Sequence, residues 1–141
     1  MNAYFDTSSV VPLLIDEPAT PRAIQAWDAA DRAVTTRITY VEARAALAAA
    51  ARGRRIRPAR RDRLVEELHD LMSDMVLIEV TPTLVRRAGD LAQTESLRGY
   101  DALHLAAAES VHEVSLVMVT GDVDLLGAAL RNGLTAIHTA A

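Results

Sequence analysis

"NAYFDTSSVV", residues 2–11, decides the reading of the fold. Three apolar residues, Ala3, Tyr4 and Phe5, run into Asp6; the small hydroxyl residues Thr7, Ser8 and Ser9 follow, and Val10 and Val11 are apolar again. The stretch reads as a short buried strand over 2–6 and a short helix over 7–15, in which Pro12 is tolerable only in the first turn. A carboxylate therefore stands at the junction of strand and helix.

The same alternation continues down the chain. Pro21 opens a helix over 21–31 with Ile24 and Trp27 on one face, and "AVTT" (33–36) is a strand. "TYVEARAALAAAAR" (39–52) is a strong helix; Thr39 and Glu42 have the spacing of a capping box, and Gly53 stops it. Pro58 starts a long helix to about Met75, with Leu64, Leu68, Leu71 and Met75 at helical spacing. "MVLIEV" (75–80) is a strand, Pro82 opens a helix to about Gln93, and "GYDALHLAAAESV" (99–111) is another. "VSLVMVT" (114–120) is a buried strand, the helix over 122–133 closes at Gly133, and "LTAIH" (134–138) is the last strand. Short apolar strands alternating with helices predict an α/β fold: a central, mostly parallel sheet of about four to five strands with helices on both faces. With 141 residues and neither linker nor repeat, one domain over 1–141 is expected.

Composition narrows the function. No run of about 18 apolar residues is free of charge, so no membrane span is expected. No basic segment leads into an apolar run and cleavage site at the N-terminus, so no secretory leader is expected either. Cysteine is absent, which excludes disulfides and thiolate metal sites and makes a reducing cytoplasm the default. Any metal must be held by oxygen or histidine. The net charge of −4 argues on its face against a polyanionic ligand. All fifteen basic residues are arginine, however, and Arg52, Arg54, Arg55, Arg57, Arg60, Arg61 and Arg63 crowd into twelve positions. That run suits either RNA phosphates or a solvated face paired with Glu66 and Glu67. Aromatics are too few for base stacking to be a theme.

The acids carry the chemistry. Asp6 and Asp122 each lie just past an apolar strand, and in an open parallel sheet the carboxyl ends of the strands share one crevice. Glu42 and Asp101 fall in the first turns of two helices, and Asp124 is two residues beyond Asp122. Taken singly, each acid also reads as a cap or a partner of the helix dipole. Together, in such apolar, small-residue surroundings, they suggest carboxylates crowded around a hard cation, which offsets the rise in pKa that crowding causes.

At "YFDTSSVV", "TYVEARAAL", "LRGYDALHLAAA" and "VTGDVDLL" the chain resembles the PIN-domain ribonucleases, specifically the VapC-type toxins of bacterial toxin–antitoxin pairs. The resemblance covers nearly the whole chain. It implies an endoribonuclease using Mg²⁺, or Mn²⁺, with Asp6, Glu42, Asp101 and Asp122 as an acidic quartet and Asp124 as a frequent fifth member. Ser8 and Thr120 match hydroxyl positions that support the acids. It further implies a cognate VapB-like antitoxin held in an apolar groove among the N-terminal helices, and a homodimer. Asp6 and Asp101 are expected as direct metal ligands, with Asp122 and Asp124 in the same ligand set. Glu42 and Asp122 are expected to act through water or to position the attacking water. How Asp122 and Asp124 divide the work is open.

Arg98, just before Gly99, is the candidate substrate residue. His104, on a helix within "ALHLAAA", reads as packed near the core and bonded to an acceptor rather than as an acid or base. A phosphoacceptor receiver domain is excluded by the missing lysine, a dehalogenase-type phosphatase by Ser8 where Asp-x-Asp is needed, and an adhesion-type metal site by Val10. No phosphate-binding glycine loop is present. The alternative of another kind is a non-catalytic RNA-binding or antitoxin-binding module on the same fold, which has no need of the four acids.

Overall fold

The computed structural model describes residues 1–112 and 115–140. Among these residues five strands form one parallel sheet: β1 (Asn2–Phe5), β2 (Arg32–Thr36), β3 (Val76–Ile78), β4 (Leu116–Thr120) and β5 (Thr135–His138), in the order β3-β2-β1-β4-β5. The expected α/β sheet is thus borne out, and it is parallel throughout. Val114, where the fourth strand was expected to begin, lies outside the described residues.

Among the described residues seven helices cover the sheet: α1 (Thr7–Val10), α2 (Thr20–Ala29), α3 (Thr39–Arg52), α4 (Pro58–Ser73), α5 (Pro82–Glu95), α6 (Gly99–Ser110) and α7 (Val123–Arg131). Side chains alternate across a strand, so β1 feeds two cores. Tyr4 and Met118 pack with Leu91, Leu105 and Leu125 of α5, α6 and α7 on one face. Phe5 and Val119 pack with Val10, Leu47, Leu64 and Leu68 of α1, α3 and α4 on the other. Burial on both faces explains why β1 and β4 read as apolar runs rather than alternating ones.

Three local expectations are corrected. Residues 7–15 do not form one helix: α1 ends at Val10 and a 3₁₀ turn, Val11–Leu13, takes Pro12 near its start, where no amide is needed. Ile24 is 45% exposed, because α2 turns its small residues Ala23 and Ala26 inward; Trp27 packs edge-on against Phe5 at 5.7 Å. Gly53 does stop α3, as expected, with φ −79°; the residue after it, Arg54, is left-handed (φ 59°). The capping box of α3 does not form. Its N-cap is Ile38, Thr39 bonds to Thr35 through the two hydroxyls at 2.7 Å, and Glu42 turns its carboxylate elsewhere. Gly133 does terminate the region after α7 with φ 82°, and Pro58 and Pro82 do open their helices.

The order 3-2-1-4-5 places the switch point of the sheet between β1 and β4. Chain connections leave in opposite directions there, so a crevice opens beyond the carboxyl ends of these two strands. Phe5 pairs with Val119, which sets Asp6 beside Thr120.

Candidate active site

Asp6 follows β1 directly, and its amide donates to the Val119 carbonyl at 3.3 Å. It occupies the N-cap position of α1 without capping it. Its buried carboxylate instead accepts from the Ser8 hydroxyl at 2.8 and 2.9 Å, from Ser9 at 3.1 Å and from Thr120 at 2.9 Å. Burial pushes the Asp6 carboxyl above its ordinary range; the nearby imidazole of His104 and the hydroxyls of Ser8, Thr120 and Ser9 oppose this without cancelling it.

The hydroxyls reach onward. The Gly121 amide donates to Ser8 Oγ at 2.7 Å, and the Asp122 amide donates to Thr120 Oγ1 at 3.0 Å. Asp122 caps α7: one oxygen accepts from the amides of Asp124 and Leu125 at 2.9 and 3.1 Å. The cap reading therefore holds for Asp122 and fails for Asp6 and Glu42. The other oxygen of Asp122 faces Arg98 at 3.5 Å. Arg98, at the N-cap of α6, also donates through Nε to Asp101 at 3.0 Å.

Glu42 completes the group from α3. One of its oxygens accepts from Thr7 and from His104, each at 2.7 Å. Burial alone would raise the Glu42 pKa, but the His104 hydrogen bond, the Thr7 hydroxyl and the Arg98 charge together hold it below its usual value. Glu42, Arg98 and Asp101 line a cleft of about 610 Å³ whose far wall is apolar: Val85, Ala88, Ala92 and Leu103.

Of the residues singled out in the sequence, Asp6, Ser8, Thr120 and Asp122 form one hydrogen-bonded chain, and Arg98 joins Asp122 to Asp101. Asp124 is exposed and lines a separate depression with Glu95, Ser96 and Arg131, though its charge still reaches Arg98. Among the described residues, no three Asp, Glu or His side chains are gathered closely enough to enclose an ion as they stand. Thr7, Ser9 and Tyr4 were not singled out as site residues; the hydroxyl run after Asp6 was the available signal for the first two. The arginine run lies at the far end of α3, ten residues or roughly 15 Å from Glu42. There Arg55 pairs with Glu17 and Arg61 with Asp62, rather than with Glu66 or Glu67.

The PIN domain family matches residues 3–139. The chain is 39% identical over 119 residues to Ribonuclease VapC45 of Mycobacterium tuberculosis, and equally to Ribonuclease VapC49 of that species; the match spans 84% of this chain and 83% of each relative. A solved toxin–antitoxin complex from Klebsiella pneumoniae shares the fold with a TM-score of 0.68, at 20% identity over 97% of both chains. The chain belongs to the PIN-domain family and, within it, to the VapC ribonucleases.

Proposed function

We propose that this protein is the toxin endoribonuclease of a toxin–antitoxin pair, and that it hydrolyses RNA phosphodiester bonds in the crevice beyond β1 and β4 with Mg²⁺, for which Mn²⁺ can substitute. The observation that carries the reading is the chain of hydroxyls that ties Asp6 to Asp122, with Arg98 linking Asp122 to Asp101. A binding module on the same fold has no use for a buried carboxylate whose ionisation is opposed by its surroundings.

The donors fit a hard divalent ion. They are carboxylate and hydroxyl oxygens, and ionising Asp6 in its buried position carries a cost that a cation offsets. Asp6 and Asp101 would hold the ion directly, with Asp122 acting through water, while Asp124, in its separate depression, stands outside the set. The wide spacing of the acids suits Mg²⁺, which keeps several waters and takes only one or two protein carboxylates. Bound there, the ion supplies Lewis acidity toward a phosphoryl oxygen and lowers the pKa of a coordinated water. Glu42 orients the attacking water. Ser8 and Thr120 hold the Asp6 carboxylate in place. Arg98, whose side chain is 82% exposed, binds the substrate phosphate.

A groove of about 640 Å³ between α3 and α4 presents Val41, Ala45, Ala48 and Val65, with Arg44, Arg61 and Glu66 at its edges. We assign a segment of a VapB-like antitoxin to it, and a second copy of the chain as a further partner. No helix among the described residues is long and apolar enough to cross a membrane. We place the protein in the cytoplasm, where its RNA substrate is made.

The test is cleavage mapping on total cellular RNA. Discrete cuts that require a divalent ion and vanish in Asp6→Asn support the reading. Full ion-dependent cleavage by a folded Asp6→Asn variant contradicts it.

A further inference from the structure

His104 is 2% exposed and has a partner on each ring nitrogen. Nδ1 lies 2.9 Å from the Tyr4 hydroxyl, and the two rings meet edge-on with centroids 6.0 Å apart. Nε2 lies 2.7 Å from Glu42 Oε1 and 3.2 Å from Thr7 Oγ1. Thr7 donates to the same Oε1 at 2.7 Å. One oxygen of Glu42 is therefore held by two donors from two elements, while the other has no hydrogen-bond partner among the described residues.

The protons can be placed by chemistry. An ionised Glu42 only accepts, so Nε2 must carry hydrogen. In the neutral ring Nδ1 is then an acceptor, which matches the Tyr4 O–H: burial keeps that phenol protonated well above its ordinary range. The chain runs Tyr4 O–H to Nδ1, then Nε2–H to Glu42. Tyr4 is fully buried in β1, so the ring's orientation is anchored in the sheet itself. A histidine needed only to fill space could bond a backbone carbonyl of its own layer. This one reaches a carboxylate that lines the cleft beside Asp101 and Arg98.

We propose that His104 is a positioning residue for RNA hydrolysis: anchored by Tyr4, it fixes Oε1 of Glu42 and leaves Oε2 presented to the water that attacks the phosphodiester. His104 does not touch substrate and exchanges no proton with it, because both of its nitrogens are engaged and its ring is buried. The inference rests on the reading of Glu42 as the acid that orients this water. It adds a second layer to that reading, running from the sheet through α6 to α3. Removing an outer partner of this kind characteristically lowers activity by about ten- to a hundredfold.

The test compares wild type with Tyr4→Phe, His104→Gln, His104→Leu, Glu42→Gln and the double variant Glu42→Gln/His104→Leu. The readouts are kcat and KM on a short RNA that the wild type cuts. His104→Leu is expected to lower kcat by about ten- to a hundredfold with KM within about twofold of wild type. His104→Gln, whose amide can still donate to Glu42, should recover most of that loss. In the Glu42→Gln background, His104→Leu should cost nothing further, because the residue acts through Glu42. A folded His104→Leu with wild-type kcat overturns the proposal, as does a loss that multiplies in full onto Glu42→Gln.

Where His104→Leu does not fold, Tyr4→Phe decides: a lowered kcat at unchanged KM supports the relay, and an unchanged kcat overturns it. An arm independent of activity uses ¹⁵N-labelled histidine in the intact protein. A proton on Nε2 of His104 is expected, and a bare Nε2 overturns the proposal. A wild type that cuts no RNA would instead sink the nuclease reading, leaving the ¹⁵N result to judge the hydrogen-bond chain alone.

Discussion

Thr120 Oγ1 donates to the Asp6 carboxylate at 2.9 Å while accepting the Asp122 amide at 3.0 Å. One hydroxyl on β4 thus ties together two carboxylates that lie 116 positions apart. Thr120→Val keeps the volume and removes both bonds. It should destabilise the protein by about 1–3 kcal/mol, because it leaves a buried carboxylate short of a donor and an amide short of an acceptor. Chemical denaturation measures this, and affinity for Mn²⁺ should fall in parallel.

Asp6 makes the site costly to the fold. Its folded-state pKa lies above the ordinary 3.8, so its ionisation opposes folding. That cost is absent below the ordinary value, where the carboxyl is protonated in both states, and it grows as pH rises through the folded-state value. In chelator-treated buffer at neutral pH, Asp6→Asn should therefore melt higher than wild type, by about 3 °C. The difference should shrink as the buffer is acidified through the folded-state pKa of Asp6. Glu42 has the opposite sign: held below its usual 4.5, it contributes stability above that pH and loses it as pH falls through its folded-state value. Melting curves across the acid range for wild type, Asp6→Asn and Glu42→Gln separate the two.

These signs bear on what the sequence made legible. Asp6 and Asp122 were readable as crevice residues because the apolar runs before them end visibly. The pairing of Phe5 with Val119, which sets Asp6 beside Thr120, had no local signal. Glu42 read both as half of a capping box and as a member of the acidic quartet, because the Thr-x-x-Glu spacing serves both purposes. What decides between them is His104, 62 positions further on. Ile24 was read as sharing a face with Trp27, but small alanines let α2 pack closely on another face and leave Ile24 exposed. The strands and helices were local properties of the chain; the partners of each acid were tertiary ones.

Arg98 stands between Asp101 and Asp122, with the charges of Glu42 and Asp124 also within reach. Replacing it removes a positive charge from the place a cation would use. Arg98→Gln should therefore bind Mn²⁺ more tightly while requiring more RNA for half-maximal cleavage. Its melting temperature should match wild type, since the side chain is largely solvated. Calorimetric Mn²⁺ titration and a KM measurement check the two halves; unchanged RNA affinity would remove Arg98 from the substrate site.

Gly121 sits where β4 meets the crevice. A Cβ there would approach Thr139 Oγ1 to 3.1 Å and Ser8 Oγ to 3.4 Å. Gly121→Ala should make the Thr139 side chain give way while meeting Ser8 at ordinary contact distance, costing about 1 kcal/mol of stability and leaving cleavage close to wild type. Parallel activity and denaturation curves reveal whether activity falls further than stability alone explains.

The central claim is that Asp6, just after β1, and Asp101, on α6, act together on one divalent ion. Mn²⁺ binding followed by electron paramagnetic resonance on wild type, Asp6→Asn and Asp101→Asn tests it without any substrate. Saturable binding in the wild type, weakened at least about tenfold in each variant, is the predicted result. Folded variants that both bind Mn²⁺ as the wild type does would contradict it.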